Sequence, residues 1–356
     1  MRRQLATGML SLGIMSGASL AAQVPPDAEV PELETVVVSG EQPGPGLWKV
    51  SKGDHVMWIL AAYGPLPKSM SWHADKIEAR IAESQELLYA GGVNIGPNIS
   101  LLRGLTLIPA AMKATKIPDG KTLKDVLSAE TYGKWLAMRQ KYGSKDDDIE
   151  RFRPAIALEM LRGAVMKKSD LQGGPNVYAV VGKLREKHKV PRNSLPAISR
   201  TVRVENPRGM LKAAQKLELP DVECFTRGLD QIEPEVERVR ALANAWARGD
   251  IQTLRSLNRN LTLKDALNES CAGALMTALG DGESTDSVHL KKTMADMQWH
   301  AELAAVQAQI NWVAAAQVAL EKNHSTFAVL SVADVFRADG HLAKLRELGY
   351  TVEEPL

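Results

Sequence analysis

Cysteine is scarce, with Cys224 and Cys271 the only two in 356 residues. That excludes a small disulfide-stapled scaffold. With no second Cys or His beside either one, it also excludes the paired-ligand spacing of a structural zinc site. An excess of charge is missing as well. Lys and Arg total 44 and Asp and Glu 42, and the first 21 residues hold Arg2 and Arg3 but no acid, leaving 42 of each beyond them. A neutral chain has no electrostatic attraction toward nucleic acid or anionic lipid. Long apolar runs are confined to the extreme N-terminus, which excludes a multi-pass membrane protein. A composition of 45% hydrophobic and 24% charged residues excludes an intrinsically disordered chain. The length suits one large domain or two small ones.

Familiar catalytic strings are absent too. There is no HExxH, no GxSxG, no phosphate-binding P-loop and no GxGxxG after a strand. The histidines are His55, His73, His188, His289, His300, His324 and His341, and no two stand at i,i+4. Spacing therefore gives no support to a metal site, and only one assembled from residues distant in sequence stays open. Asp146-Asp147-Asp148 has neither the Gly nor the Glu of an EF-hand and reads as a solvated helix start.

What is present begins with an address. Arg2 and Arg3 precede an apolar, small-residue stretch from Leu5 to Leu20, and Ser19-Leu20-Ala21 suits cleavage before Ala22. Residues 1–21 are expected to be a secretory signal peptide, with an uncleaved anchor as the alternative. In a Gram-negative host the destination is the periplasm. The chain is then not an integral membrane protein after cleavage. Export favours a Cys224–Cys271 disulfide over two buried thiols. Its loop of about 47 residues would contribute about 3–4 kcal/mol. Residues 22–46, punctuated by Pro25, Pro26, Pro31, Pro43 and Pro45, read as a flexible leader. Within it, Glu34-Thr35-Val36-Val37-Val38-Ser39-Gly40 resembles the energy-coupling box of TonB-dependent receptors. No barrel follows, so a β-prone leader segment is the plain reading.

From Leu47 onward the expectation is a helix-rich α/β protein with a modest sheet. Val56-Met57-Trp58-Ile59-Leu60 predicts a buried strand, and residues 72–90 predict a helix facing inward with Ile77, Ile81 and Leu87-Leu88. Gly91, Gly92, Gly96 and Pro97 predict a loop. The middle, about 98–195, reads as helical, with its best segments at 122–141 and 153–168. A strand is expected near 199–205, long helices at 231–248 and 293–322, and a closing strand, helix and strand over 327–352.

Leu47-Trp48-Lys49-Val50, followed by Trp58 through Pro67, resembles the N-terminal signature of the TraB/GumN family. Phe327 through Asp334, then Gly340, Leu342, Leu345, Gly349 and Tyr350, resembles its C-terminal signature. Trp246-Ala247-Arg248-Gly249-Asp250 is similar to its W-x-x-G-D helix ending. The resemblance implies one domain over 47–354, made of two similar halves, each a small β-sheet flanked by helices, with a helical middle insertion at about 98–195. The family includes TIKI metalloproteases, pheromone-shutdown proteins and proteins of polysaccharide gene clusters. Its proposed active centre uses two G-x-x-H motifs, one per half, with acidic residues and a metal that activates water.

This chain departs from that pattern at the histidines. The first motif falls on Ala61-Ala62-Tyr63-Gly64, with Gly64 in the His position. The second falls on Ser331-Val332-Ala333-Asp334, with Asp334 in the His position. The family's Arg-Asn pair before a Trp falls on Ala308 and Gln309, and a later family glutamate matches Glu205. Glu205 and Asp334 are the candidate catalytic pair, as acid and base or as oxygen ligands of a hard cation such as Ca or Mg, provided the fold brings them within about 10 Å. Tyr63, Gly64, Gln309 and Ser331 are the candidate cleft residues. Structural roles are the alternative: Asp334 as a cap after its strand, Glu205 as a surface residue, Tyr63 as packing. Three functions compete. They are a catalytically degenerate envelope protein that binds a peptide, glycan or partner protein; a divergent metal-dependent hydrolase; and an envelope assembly factor with an exposed apolar patch.

Overall fold

The computed structural model describes residues 42–143, 147–171, 174–216, 221–258, 271 and 284–355. The expected signal peptide 1–21, the leader up to residue 41 and the string 34–40 lie outside the described residues. Residues 42–46, expected to be flexible leader, belong to the folded body. Gln42 is buried and exchanges backbone hydrogen bonds with Ser71 and His73, and the Gly44 amide donates to Ala247 O at 2.9 Å.

The chain forms β1 (Leu47–Lys52), β2 (His55–Ala62), α1 (Asp75–Ala82), β3 (Glu86–Tyr89), β4 (Val93–Pro97), α2 (Leu101–Leu105) and α3 (Ile108–Ala114). It continues through α4 (Leu123–Val126), α5 (Ala129–Tyr142), α6 (Pro154–Lys168), α7 (Val177–Lys187), β5 (Arg192–Ser194), β6 (Ile198–Val202), α8 (Pro207–Lys216) and α9 (Asp221–Arg248). It closes with α10 (Ile251–Leu257), α11 (Thr285–Lys322), β7 (Ser325–Ser331), α12 (Val332–Phe336), α13 (His341–Glu347) and β8 (Thr351–Glu353). This is the helix-rich α/β architecture the sequence predicts.

Strands from both ends of the chain share one six-stranded sheet, ordered β5-β3-β7-β2-β1-β8. β2 and β7 pair in parallel at its centre. Both read as nearly unbroken apolar runs, as strands covered on both faces do. β1 returns antiparallel to β2 through a two-residue turn whose first position, Gly53, takes φ +61. A separate two-stranded parallel sheet joins β4 to β6.

Two expectations change. The helix predicted over 72–90 stops at Ala82, and Leu87-Leu88 lie in β3, fully buried between β5 and β7. Two adjacent buried leucines suit a strand covered on both faces as well as a helix face, and periodicity alone does not separate the two. The predicted loop over 91–97 contains β4, paired residue for residue with β6. Gly91 permits its approach, because a Cβ there would lie 2.5 Å from Pro196 O.

Two apolar clusters hold the molecule. One surrounds the sheet and takes Leu242, Ala243 and Trp246 from the second half of α9. The other packs α4, α5 and α6 around Trp135, Leu158 and Leu161, and takes Phe225, Leu229 and Ile232 from the first half of α9. The Cys224–Cys271 disulfide forms, with Cα atoms 5.5 Å apart. α11 is long and apolar enough to cross a membrane by length and composition alone, with 39% of its most apolar window buried. The sequence predicts a long helix over 293–322, and the helix begins eight residues earlier, at Thr285. In this structure it packs on β4, β6, α8 and α13.

Candidate functional site

β3, β7 and β2 run parallel and end side by side, and open α/β sheets bind ligands at such carboxyl ends. The register pairs Ala62 with Ser331. Gly64 follows two residues beyond that rung and Asp334 three, so the two histidine positions of the G-x-x-H motifs come to one sheet edge.

Ser331 caps α12. Its Oγ accepts from the Asp334 amide at 3.0 Å and donates to Asp334 Oδ2 at 2.7 Å. The other carboxylate oxygen, Oδ1, lies 3.9 Å from His341 Nδ1, within ion-pair reach but beyond a hydrogen bond. His341 is buried, and its ring stands edge-on to Trp312 with centroids 5.0 Å apart. Burial holds the imidazole below the ordinary histidine value; Asp334 opposes that shift and Arg337 adds to it. Neither His341 Nδ1 nor Trp312 Nε1 has a hydrogen-bond partner among the described residues. Gly340 brings α13 this close, since a Cβ there would lie 2.5 Å from Asp334 O and 2.8 Å from Arg337 O.

Gln309 works as a clasp. Its amide donates to Asp339 O at 2.6 Å and accepts from Arg337 Nη2 at 3.3 Å, fixing the loop between α12 and α13 to α11. On the β3 side, Tyr89 meets Tyr178 of α7 at 6.5 Å and lies under the Arg192 guanidinium at 5.0 Å. Burial raises both phenols. Arg192 and Arg185 counter the rise at Tyr89, whereas Asp334 and Tyr89 add to it at Tyr178.

Tyr63 turns the other way. Its hydroxyl donates to Val239 O of α9 at 3.4 Å, and burial raises its pKa against the pull of Arg238. Among the described residues, Tyr63 and Pro65 aside, no atom lies within 4 Å of where a Gly64 Cβ would stand. Tyr63 and Gly64 open onto a cavity of about 900 Å³ between β2, α6 and α9, lined also by Arg162, Met166, Arg238 and Leu242, with the disulfide in its wall.

Glu205 is elsewhere. Its Oε2 lies 3.7 Å from His289 Nε2 near the start of α11, whereas Asp334 sits by His341 and Trp312. Residues 289 to 312 span 23 helical steps of 1.5 Å, about 35 Å. The expected Glu205–Asp334 acid–base pair therefore does not form. Three site residues escaped the sequence reading, namely His341, Tyr89 and Tyr178. The available signal for His341 was its position directly after Gly340 in the C-terminal signature.

Comparison with curated proteins and with solved structures gives no match. The model of the TraB/PrgY/gumN family matches residues 46–354, which take in both strand ends, the Trp246 helix ending and the Asp334–His341 corner. The chain belongs to the TraB/PrgY/gumN family.

Proposed function

We propose that this protein is an exported, catalytically degenerate member of the family that acts by binding a peptide, a glycan or a partner protein in the cell envelope. The carrying observation is the β2–β7 rung. It keeps the two histidine positions together on one sheet edge while filling them with Gly64, which has no side chain, and Asp334, whose amide and one carboxylate oxygen are bonded to the Ser331 cap of α12. Next to Gly64, the cavity toward α9 mixes apolar walls with basic Arg162, Arg227 and Arg238 and acidic Asp230 and Glu235, Arg238 being paired with Glu235, a lining suited to a ligand with both apolar and polar parts. Export is supported by Arg2, Arg3 and the apolar stretch behind them, and by a disulfide of the kind that persists in oxidising compartments.

A second reading, a divergent hydrolase, draws on the 3.9 Å approach of Asp334 to His341, since a carboxylate beside a neutral imidazole is an acid–base arrangement. One experiment separates the two. The purified chain is incubated with a peptide library and with Zn²⁺ or Mn²⁺, beside Asp334→Ala and His341→Phe, and cleavage is read by mass spectrometry. The binding reading expects no cleavage beyond that of the two variants. Turnover that either substitution abolishes would return the chain to the hydrolases.

A further inference from the structure

At the opposite edge of the sheet, where β2 and β7 begin, Asp54 occupies the β1–β2 turn, His55 opens β2 and His324 immediately precedes β7. The parallel pairing of Val56 with Ser325, together with the Val56 amide donating to His324 O at 2.9 Å, fixes these three residues beside one another. His55 Nδ1 lies 2.6 Å from Leu320 O. A carbonyl only accepts, so Nδ1 carries the proton, and in the neutral ring the Nε2 lone pair is left free. That lone pair is 3.8 Å from Asp54 Oδ1, and His324 Nδ1 is 3.3 Å from Asp54 Oδ2. All three ligand atoms lie within 4.8 Å of one another.

From this we propose that Asp54, His55 and His324 form a binding site for one divalent transition-metal ion of the zinc type, with the fourth position open to water. Bonds of about 2.0–2.2 Å in a tetrahedron place ligand atoms about 3.4 Å apart. The Asp54–His324 distance already meets that. The remaining gap closes by side-chain rotation, for which Asp54 and His324 are free, being 80% and 73% exposed. The less exposed His55 supplies the fixed end. Its backbone-bonded Nδ1–H sets tautomer and ring orientation, as the outer hydrogen bond of a metal-bound histidine does. Two imidazoles and one carboxylate select zinc, nickel or copper over calcium or magnesium. A bound ion would tie the β1–β2 turn to the α11–β7 junction, far from the edge that holds Asp334.

The test is calorimetric titration of the full chain, purified without a polyhistidine tag, with Zn²⁺ and with Mg²⁺. Cobalt(II) absorption reports the geometry independently. Expected are one Zn²⁺ per chain, a tetrahedral cobalt spectrum, no heat with Mg²⁺, and a dissociation constant raised at least tenfold in His324→Ala and in Asp54→Asn. Both of those side chains are exposed, so both variants should fold. Asp334→Ala should bind zinc unchanged. Absence of zinc binding, or zinc binding that survives both substitutions, overturns the site; zinc lost only in Asp334→Ala would instead count against the proposed degenerate edge.

Discussion

His341 is the side chain whose placement most constrains the site's chemistry. It is buried against Trp312, faces Asp334 without a hydrogen bond, and is held below its ordinary pKa chiefly by burial. The unfolded chain titrates this residue near the ordinary value of about 6.5. Between the lower folded value and that one, the unfolded state binds more protons, so stability declines as pH falls through the histidine range. His341→Phe keeps an aromatic ring against Trp312 and removes the proton. Urea unfolding at pH 7.5 and 5.5 should show a smaller acid loss in the variant than in the parent, and equal losses would assign the acid instability to groups other than His341. His341 was hidden from sequence reasoning because its partner lies across a turn, set by Gly340's close approach to the Asp334 and Arg337 carbonyls. The W-x-x-G-D ending was legible because its chemistry is local. Gly249 takes φ +73, the Asp250 amide returns to Ala245 O at 2.9 Å, and Asp250 caps α10 through the Thr253 amide at 3.0 Å.

Strands β2 and β7 and helices α5, α6, α9 and α11 were legible because each carries a long or nearly unbroken apolar pattern. β3 and β4 were not, because their partners decide them: Leu87-Leu88 become strand between β5 and β7, and the Gly-rich segment over 91–97 becomes strand only against β6. The disulfide belongs with these elements. It ties α9 to Cys271 beside the helical cluster and closes a loop spanning 47 residues. The chain-entropy model gives about 3–4 kcal/mol for such a loop. Cys224→Ser/Cys271→Ser, or the parent under reductant, should lose stability on that order, read from the urea midpoint at constant slope. An unchanged midpoint would mean that the bond does not constrain the unfolded chain.

The order of the sheet was not legible. β2 and β7 come from opposite ends of the chain, and no local pattern encodes a contact of that separation. What joins the two apolar clusters is one helix. α9 gives Phe225, Leu229, Ile232, Val236 and Val239 to the helical cluster, then Leu242, Ala243, Ala245, Trp246 and Ala247 to the sheet. Its far end is anchored, since Trp246 Nε1 donates to Ala61 O at 2.6 Å inside the core. If that helix couples the clusters, breaking it between them should do more than lower stability. Ala241→Pro falls between Val239 and Leu242, removes one helical hydrogen bond and costs about 3 kcal/mol or more. In the parent, near-ultraviolet signals from both clusters should be lost in one urea transition. In Ala241→Pro, hydrogen exchange should show α4–α6 opening before β2 and β7, because the sheet keeps its own pairing while the helical cluster loses the rod it packs on. A variant that still unfolds as one unit would place the coupling outside α9, in contacts such as the loop after α6, where Asp170 accepts from the Lys68 and Ser69 amides.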